Sequence, residues 1–501
     1  MNDIRSKAAK GAVWMVLFKM IDRGIGLLST LILARVLAPE SFGVIAMATS
    51  FMALLELLSA FGFDMALIQR GDATRDHYDT AWTFSVVLGV VIGVLMASLS
   101  VPIGHYYQRP DLWPVLCTLA VGSVLQGFNN VGTVAFRKDL EFHKEFRFLL
   151  TKKLVTFPLT IGLAFLLRNH WALVAGMVTG RATDLLLSYR LHPYRPRLCL
   201  KAAGDLLHFS KWLLFLNSLM FLRDRSADFV LGRFGGAGSL GLFSVSYELA
   251  NLPATELVAP INRAVYPAYA KLASEPDALR REYLSIMGMI ALIAIPAVAG
   301  TAATAPLIVP LLLGAKWLAA IPILRILAFF GISQVMWSNA YALCLAKGRG
   351  DVFSRLNGAY VVILIALLLF LSPKYGAVGA AYGYVIAALS TLPVGIAVVL
   401  RLLSIRAFEF LREMWRPLIG AALMFIAVYS ITDTTPPEAK TPYLALMMLE
   451  AVGLGAAIYG ASVAALWWLS GRPESSAERV IWNRGMQALA SLRRKFFSWA
   501  S

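Results

Sequence analysis

Apolar runs of roughly twenty residues, parted by short clusters of charge, glycine and proline, recur along the whole chain. A membrane-crossing helix needs about 20 such residues, because the hydrocarbon core is about 30 Å thick and each backbone amide inside it must be satisfied within the helix. The pattern predicts about fourteen spans, near 12–34, 41–68, 80–106, 112–136, 148–167, 171–189, 211–232, 240–269, 284–312, 318–346, 356–372, 376–400, 416–431 and 442–470. The segment 416–431 is short and has Pro417 at its start, so it and 442–470 read as a pair added to a twelve-helix arrangement. The expected fold class is therefore an all-α polytopic membrane protein.

Composition agrees: 58% of the 501 residues are hydrophobic, 15% are charged, and the mean hydropathy is +0.68. A soluble domain carries more charge and less apolar surface. The net charge of +17 would suggest nucleic acid in a soluble protein, but here the cations crowd the short loops, and no nucleic-acid partner is expected. Alternate loops hold thirty Lys and Arg against seven in the opposite set. Because such residues are retained on the cytoplasmic side, both termini are expected in the cytoplasm of a bacterial inner-membrane protein. The first segment follows Arg5, Lys7 and Lys10 as a signal peptide would, but Lys19, Asp22 and Arg23 interrupt it, so it reads as a retained helix. The three cysteines, Cys117, Cys199 and Cys344, have no disulfide or metal spacing.

Sliding the chain on itself by 198 positions aligns Trp14 with Trp212, Leu33 with Leu231, Arg35 with Arg233, Ser41 with Ser239 and Gly43 with Gly241. The seventh segment restarts the pattern of the first. A parallel six-plus-six repeat builds two lobes that rock around a central pathway. The expected organisation is a six-helix lobe over 1–190, a cytoplasmic linker over 191–210 and a second lobe over 211–401. A helix pair over 402–470 and a basic amphipathic tail over 471–501, suited to an anionic membrane surface, follow.

Charged side chains inside these segments are the candidate chemistry, since an ion at the bilayer centre costs about 2.5 to 3.5 kcal/mol on insertion scales and usually faces a cavity or a partner. Lys19, Arg23, Arg181, Arg223, Arg225, Arg263 and Arg325 are the candidate substrate-binding cations. Lys19 and Arg23 stack on one helical face, where an anion between them would relieve their repulsion. Arg225 with Asp228, and Arg181 with Asp184, have the spacing of internal ion pairs, whereas Lys19, Arg23, Arg223, Arg263 and Arg325 show no obvious partner on their own helix or outnumber the acids there. Arg263 sits toward the cytoplasmic end of its span, where it can snorkel. As a group these cations suit a phosphate-bearing anion. Asp22, Glu56, Asp224, Glu248 and Glu256 are candidate ion-coupling acids. Pro253, Pro260 and Pro267 predict bends in the eighth segment, whether static or flexing.

No phosphate loop, His-rich metal pattern or nucleophile elbow occurs, so no cofactor, metal or catalytic residue is expected. No long outer loop is present to carry a glycosyltransferase or polymerase site, and the number of intramembrane charges argues against a structural scaffold.

Several stretches together resemble Wzx-type polysaccharide flippases, particularly the colanic-acid-exporter-like branch. They are Leu33-Ala34-Arg35 with Ser41-Phe42-Gly43, Arg137-Lys138-Asp139-Leu140-Glu141-Phe142, Phe209-Ser210-Lys211-Trp212, Arg263-Ala264-Val265-Tyr266-Pro267-Ala268-Tyr269, and Gly314-Ala315-Lys316-Trp317 before Pro322-Ile323-Leu324. The similarity runs from the N-terminus to about residue 400. The resemblance implies the multidrug/oligosaccharidyl-lipid/polysaccharide exporter fold, with undecaprenyl-diphosphate-linked repeat units moved from the cytoplasmic to the periplasmic leaflet. Membrane lipids, a polysaccharide polymerase and export machinery are the implied partners. Related lipid II flippases use an adjacent arginine and aspartate in the first helix; Asp22-Arg23 has the reverse order here. A lipid II flippase and a drug/ion antiporter of the same fold are the alternatives, the latter calling for an acidic or aromatic pocket.

Overall fold

A computed structural model describes residues 2–59, 63–69, 73–204, 211–436, 439–473 and 477–479. Among these residues the chain is helical, without strands. Each of the fourteen expected segments overlaps a helix. Among the described residues eight helices are long and apolar enough to cross a bilayer, nine if the bent pair Leu112–Gly127 and Val131–Lys138 is one span. The chain is a multi-pass membrane protein. Two expected junctions are sharp breaks at single glycines: the helical stretch Lys211–Leu252 is interrupted at Gly236 and Gly350–Leu402 at Gly376, both at positive φ. Glycine adopts that conformation without steric cost. The tail from residue 480 onward lies outside the described residues.

The chain divides into two compact units, 1–244 and 245–501. In unit 1, helix α1 (Asn2–Val36) packs on α5 (Phe142–Leu167), which packs on α6 (Trp171–Leu191). That helix meets α4 (Leu112–Gly127), which meets α3 (Arg75–Ser98), and α2 (Pro39–Glu56) leans on α3 and α4. Helices α3 and α4 cross at Gly89 and Gly127: a Cβ on Gly89 would lie 2.8 Å from the Gly127 Cα, and one on Gly127 would lie 3.0 Å from the Gly89 Cα. A larger residue at either position would drive the helices apart.

The 198-residue repeat has a direct structural expression within unit 1. A Cβ at Gly43 would overlap the Ala237 carbonyl, and one at Gly241 would overlap the Pro39 carbonyl. Gly43 and Gly241 are repeat mates, as are Pro39 and Ala237, so the contact is reciprocal. The first turns of α2 and of the helix arm after Gly236 meet backbone to backbone, an approach that suits Cα–H···O contacts.

In unit 2, α9 (Pro276–Ala303) lies between α10 (Ala320–Ala346) and α12 (Ala407–Thr432), with α11 (Gly350–Leu402) on α10 and α13 (Thr441–Leu469) on α12. The expected short span at 416–431 is the later part of the 26-residue α12. Phe410, Met414, Met424, Val428 and Leu444 are buried with α9 residues in one core, so this pair is packed into the unit. Thr432 donates to the Ala303 carbonyl at 2.7 Å and Tyr459 to the Leu292 carbonyl at 2.8 Å. Arg416, at the start of the expected 416–431 span, is 1% exposed and makes a two-pronged ion pair with Glu478 at 2.7 and 3.2 Å. Of the three prolines, Pro253 opens a π-helical turn, Pro253–Val258, ahead of the helix Ala259–Lys271. Asn262, Ser338, Asn339 and Tyr269 form a hydrogen-bonded group between that helix and α10.

Candidate functional site

The charges predicted inside the spans are mostly paired, and the pairs differ from those the spacing suggested. Arg181 does not pair with Asp184 on its own helix. Its Nη2 reaches Glu56 Oε1 at 2.8 Å and its Nη1 donates to Ser123 Oγ at 3.0 Å, tying α6 to α2 and α4. Asp184 is taken by Lys152, and Asp22 by Lys153 at 2.8 Å. These two lysines inside α5 went unused in reading the sequence, although a cation pair within the apolar run 148–167 is the signal that would have found them. Arg223, expected to lack a partner, pairs with its neighbour Asp224 at 2.8 Å. Arg325, expected to have no obvious partner on its own helix, holds Asp433 at the end of α12 at 2.7 Å and lies 4.6 Å from the centre of the Tyr429 ring. The expected Arg225–Asp228 pair is present at 3.2 Å, and Asp228, buried, also accepts from Ser50. Lys19, Arg263 and Glu256 are exposed, Arg23 and Glu248 half-buried.

A partly polar cavity lies in unit 1, with a volume of about 490 Å³. Its wall runs from Glu56 and Ser59 at the end of α2, over Ser85 and Gly89 of α3 and Ser123, Gln126 and Gly127 of α4, to Asn129, Asn130 and Thr133. Asn217 closes it from the helix beginning at Lys211. The Gly89–Gly127 crossing forms part of its floor. The break after α4 is built by Asn130, whose backbone N–H donates to Ser188 Oγ at 3.0 Å and whose side-chain N–H donates to the Tyr194 carbonyl at 2.7 Å. These neutral amides and hydroxyls were not singled out from the sequence.

Beside the cavity the start of the expected linker is strapped to α3. Arg197 N–H and Tyr194 Oη donate to Asp79 Oδ1 at 2.9 and 2.6 Å, and Cys199 N–H donates to Thr83 Oγ1 at 3.0 Å. Asp79 is buried, and Arg75 Nε lies 3.6 Å from its Oδ2. The opposite end of unit 1 is closed by the Gly43–Gly241 contact and by a loop cluster in which Arg109 holds Asp111 at 2.7 and 2.8 Å and also Glu40. The Arg109 guanidinium keeps the Asp111 carboxyl below its ordinary range. Burial holds the nearby His170 ring below its ordinary value.

Unit 2 contains a cavity of about 440 Å³ lined by Phe329, Phe330, Tyr382, Leu389 and Leu392, with Arg325 on its wall. Hydrocarbon dominates its surface, with Ser333 as a neutral polar member.

Residues 32–322 match the family described as polysaccharide biosynthesis protein. The chain is 26% identical to the lipopolysaccharide biosynthesis protein WzxC of Escherichia coli, covering 85% of this chain and 88% of that protein. It is 24% identical to the teichuronic acid biosynthesis protein TuaB of Bacillus subtilis, covering 90% and 95%. It is 22% identical to the succinoglycan biosynthesis transport protein ExoT of Rhizobium meliloti, covering 89% and 90%. Among solved structures it is similar to the lipid II flippase MurJ in an inward closed conformation, with a TM-score of 0.70 and 12% identity over 91% of this chain and 99% of that one. It is also similar to an inward-facing multidrug resistance transporter of the MATE family and MOP superfamily, with a TM-score of 0.63 and 17% identity over 79% and 98%. The structural likenesses establish the fold, and the sequence matches agree with the resemblance read from the residues.

Proposed function

This chain belongs to the polysaccharide biosynthesis protein family, and from that premise we propose that it is an inner-membrane flippase for undecaprenyl-diphosphate-linked oligosaccharide repeat units. The cargo moves from the cytoplasmic to the periplasmic leaflet by alternating access, for export as surface polysaccharide. The observation that carries this reading is the partly polar cavity of about 490 Å³ in unit 1, lined by Glu56 and by the amides and hydroxyls of α3, α4 and the break after α4. Buried hydrogen-bonding groups in a membrane are costly unless a polar cargo or aqueous path uses them.

The thirty-to-seven asymmetry of loop cations supports cytoplasmic termini, which puts the cavity end of α2 toward the cytoplasm. The Gly43–Gly241 contact then seals the periplasmic end of unit 1, and these helix starts must part for cargo to leave. Lys19 and Arg263, being exposed, are the cations freest to meet a diphosphate. Arg23, Arg181, Arg223, Arg225 and Arg325 meet it only by exchange with the contacts they already make. Asp22, Glu56 and Asp224 already neutralise cations, so a proton or sodium ion arriving there would release a positive charge toward the cargo. Glu248 and Glu256 are the remaining coupling candidates. A polymerase and export machinery receive the product outside.

Deleting the chain from its host and following labelled undecaprenyl-diphosphate glycans tests this reading. Repeat units should accumulate on the inner leaflet while surface polysaccharide is lost. Normal polysaccharide with heightened sensitivity to organic cations would point instead to a drug antiporter, and arrest of peptidoglycan synthesis to a lipid II flippase.

A further inference from the structure

The seam closed by the Gly43–Gly241 contact carries a buried acid further in. Two turns along α2 from Gly43, Ser50 is 0% exposed and meets Asp228, itself 7% exposed, on the helix beginning at Lys211. Arg225, one turn earlier on that helix, places its Nη1 3.2 Å from the same carboxyl oxygen, and its side chain is 40% exposed. Tyr107, 2% exposed, covers the next turn, where a Cβ on Gly232 would lie 2.7 Å from its Cε1. The Tyr107 hydroxyl has no hydrogen-bond partner among the described residues and lies within electrostatic range of Asp228. Together with Asp224, which follows Arg223 on the same helix, these are the groups that face the Asp228 carboxyl.

Ser50 has one proton and two claimants. Its Oγ lies 2.6 Å from the Ala46 carbonyl, one turn back on α2, and is in hydrogen-bond contact with Asp228 Oδ2. A hydroxyl donates once and accepts twice. With Asp228 ionised, Ser50 divides one proton between a carboxylate and a carbonyl, and a charge sits where little water reaches it, which is costly. A proton on Asp228 Oδ2 removes both conflicts: the carboxyl O–H donates to Ser50 Oγ, and the Ser50 O–H donates to the Ala46 carbonyl. Arg225, no longer facing a charge, is released toward its exposed side. When the proton leaves, it passes to water on that side, and the carboxylate takes back Arg225.

We propose that Asp228 carries a proton through the transport cycle, protonated while its bridge to Ser50 holds the α2 seam shut and ionised when the seam parts. The inference rests on the flippase reading, in which the Gly43–Gly241 end is periplasmic. A proton taken up from outside closes the seam over the emptied unit, and its release inside weakens the bridge so that cargo can open it. Spacing concealed this role, because Arg225 at three residues' distance reads as a structural partner for Asp228.

Infrared spectroscopy of the full chain in nanodiscs reads the proton without transport. The parent should show a protonated-carboxyl C=O band at neutral pH that fades as pH rises, that Asp228→Asn removes, and that Ser50→Ala shifts in frequency. Asp228→Asn keeps an N–H donor toward Ser50, so its thermal unfolding should match that of the parent. In proteoliposomes an imposed proton gradient should drive an undecaprenyl-diphosphate N-acetylhexosamine oligosaccharide toward the acidic side, by about tenfold per unit of pH for one proton per cargo. Asp228→Asn should lose that response. A carboxyl band identical in parent and Asp228→Asn, proton-driven movement intact in that variant, or a parent that responds to sodium alone would overturn the proposal. A band that Asp228→Asn removes, in a chain that moves no glycolipid, would take away the flippase reading and leave the proton site in place.

Discussion

The two units each hold a cavity of similar size, and the two cavities differ in polarity. In unit 1 about 490 Å³ is walled by amides, hydroxyls and the Glu56 carboxylate together with apolar side chains such as Phe63, Leu88 and Ile92; in unit 2 about 440 Å³ is walled mostly by aromatic and aliphatic side chains, with one arginine held by Asp433. The unit 1 wall offers many neutral hydrogen-bonding groups, whereas the unit 2 wall offers few, Arg325, Ser333 and Tyr382 among them. Their ion pairs differ in the same sense. Arg416 and Glu478 in unit 2 are 1% and 8% exposed and act as a brace, whereas Arg181 and Glu56 in unit 1 are 16% and 33% exposed and border the cavity. Charge in unit 2 holds packing together; in unit 1 it shapes a binding surface.

The largest expected effect on stability comes from the brace. Arg416→Ala leaves Glu478 buried without its cation, which costs about 3–5 kcal/mol. Thermal unfolding of the detergent-purified variant should show the greatest loss in the series, and a fall no larger than that of Arg181→Ala would erase the contrast. Next is Gly43→Leu, where overpacking against the Ala237 carbonyl costs about 1–3 kcal/mol and keeps the periplasmic end of unit 1 from closing. Gly26→Leu is the control, because a Cβ there meets nothing within 4 Å. Glycolipid translocation should collapse in the first variant and persist in the second.

Arg181→Ala should cost less, about 1–2 kcal/mol, because both partners retain contact with solvent. Smallest is the loop cluster at Arg109. The folded-state Asp111 carboxyl is depressed by Arg109, so the stability it contributes is complete above the unfolded value of about 3.9 and is lost as pH falls through the folded value. Arg109→Ala should therefore melt below the parent at pH 7, and the gap should narrow in strong acid.

The helical segments were legible because a bilayer demands a long apolar run, and the 198-residue offset was legible because Gly43 and Gly241 serve one backbone contact. The ion-pair map was not. Spacing along one helix suggests Arg181 with Asp184, but neighbouring helices offered Glu56 to the first and Lys152 to the second, and tertiary proximity decides such choices. The buried pairing of Arg416 with Glu478 was hidden for the same reason, since the two are far apart in sequence and each looks like a loop charge. The cavity wall was hidden differently. Asn129, Gln126 and Ser85 are unremarkable among apolar neighbours, and only the glycine crossing of α3 and α4 and the Asn130 break bring them around one space.

The most direct test of the central claim is the transbilayer movement of an undecaprenyl-diphosphate N-acetylhexosamine oligosaccharide in proteoliposomes, with proton and sodium gradients imposed in turn. The parent chain and Gly26→Leu should move the glycolipid, and Gly43→Leu, at equal insertion, should not. Equal movement by all three would remove the closing contact from the mechanism, and efflux of organic cations with no glycolipid movement by the parent would contradict the flippase itself.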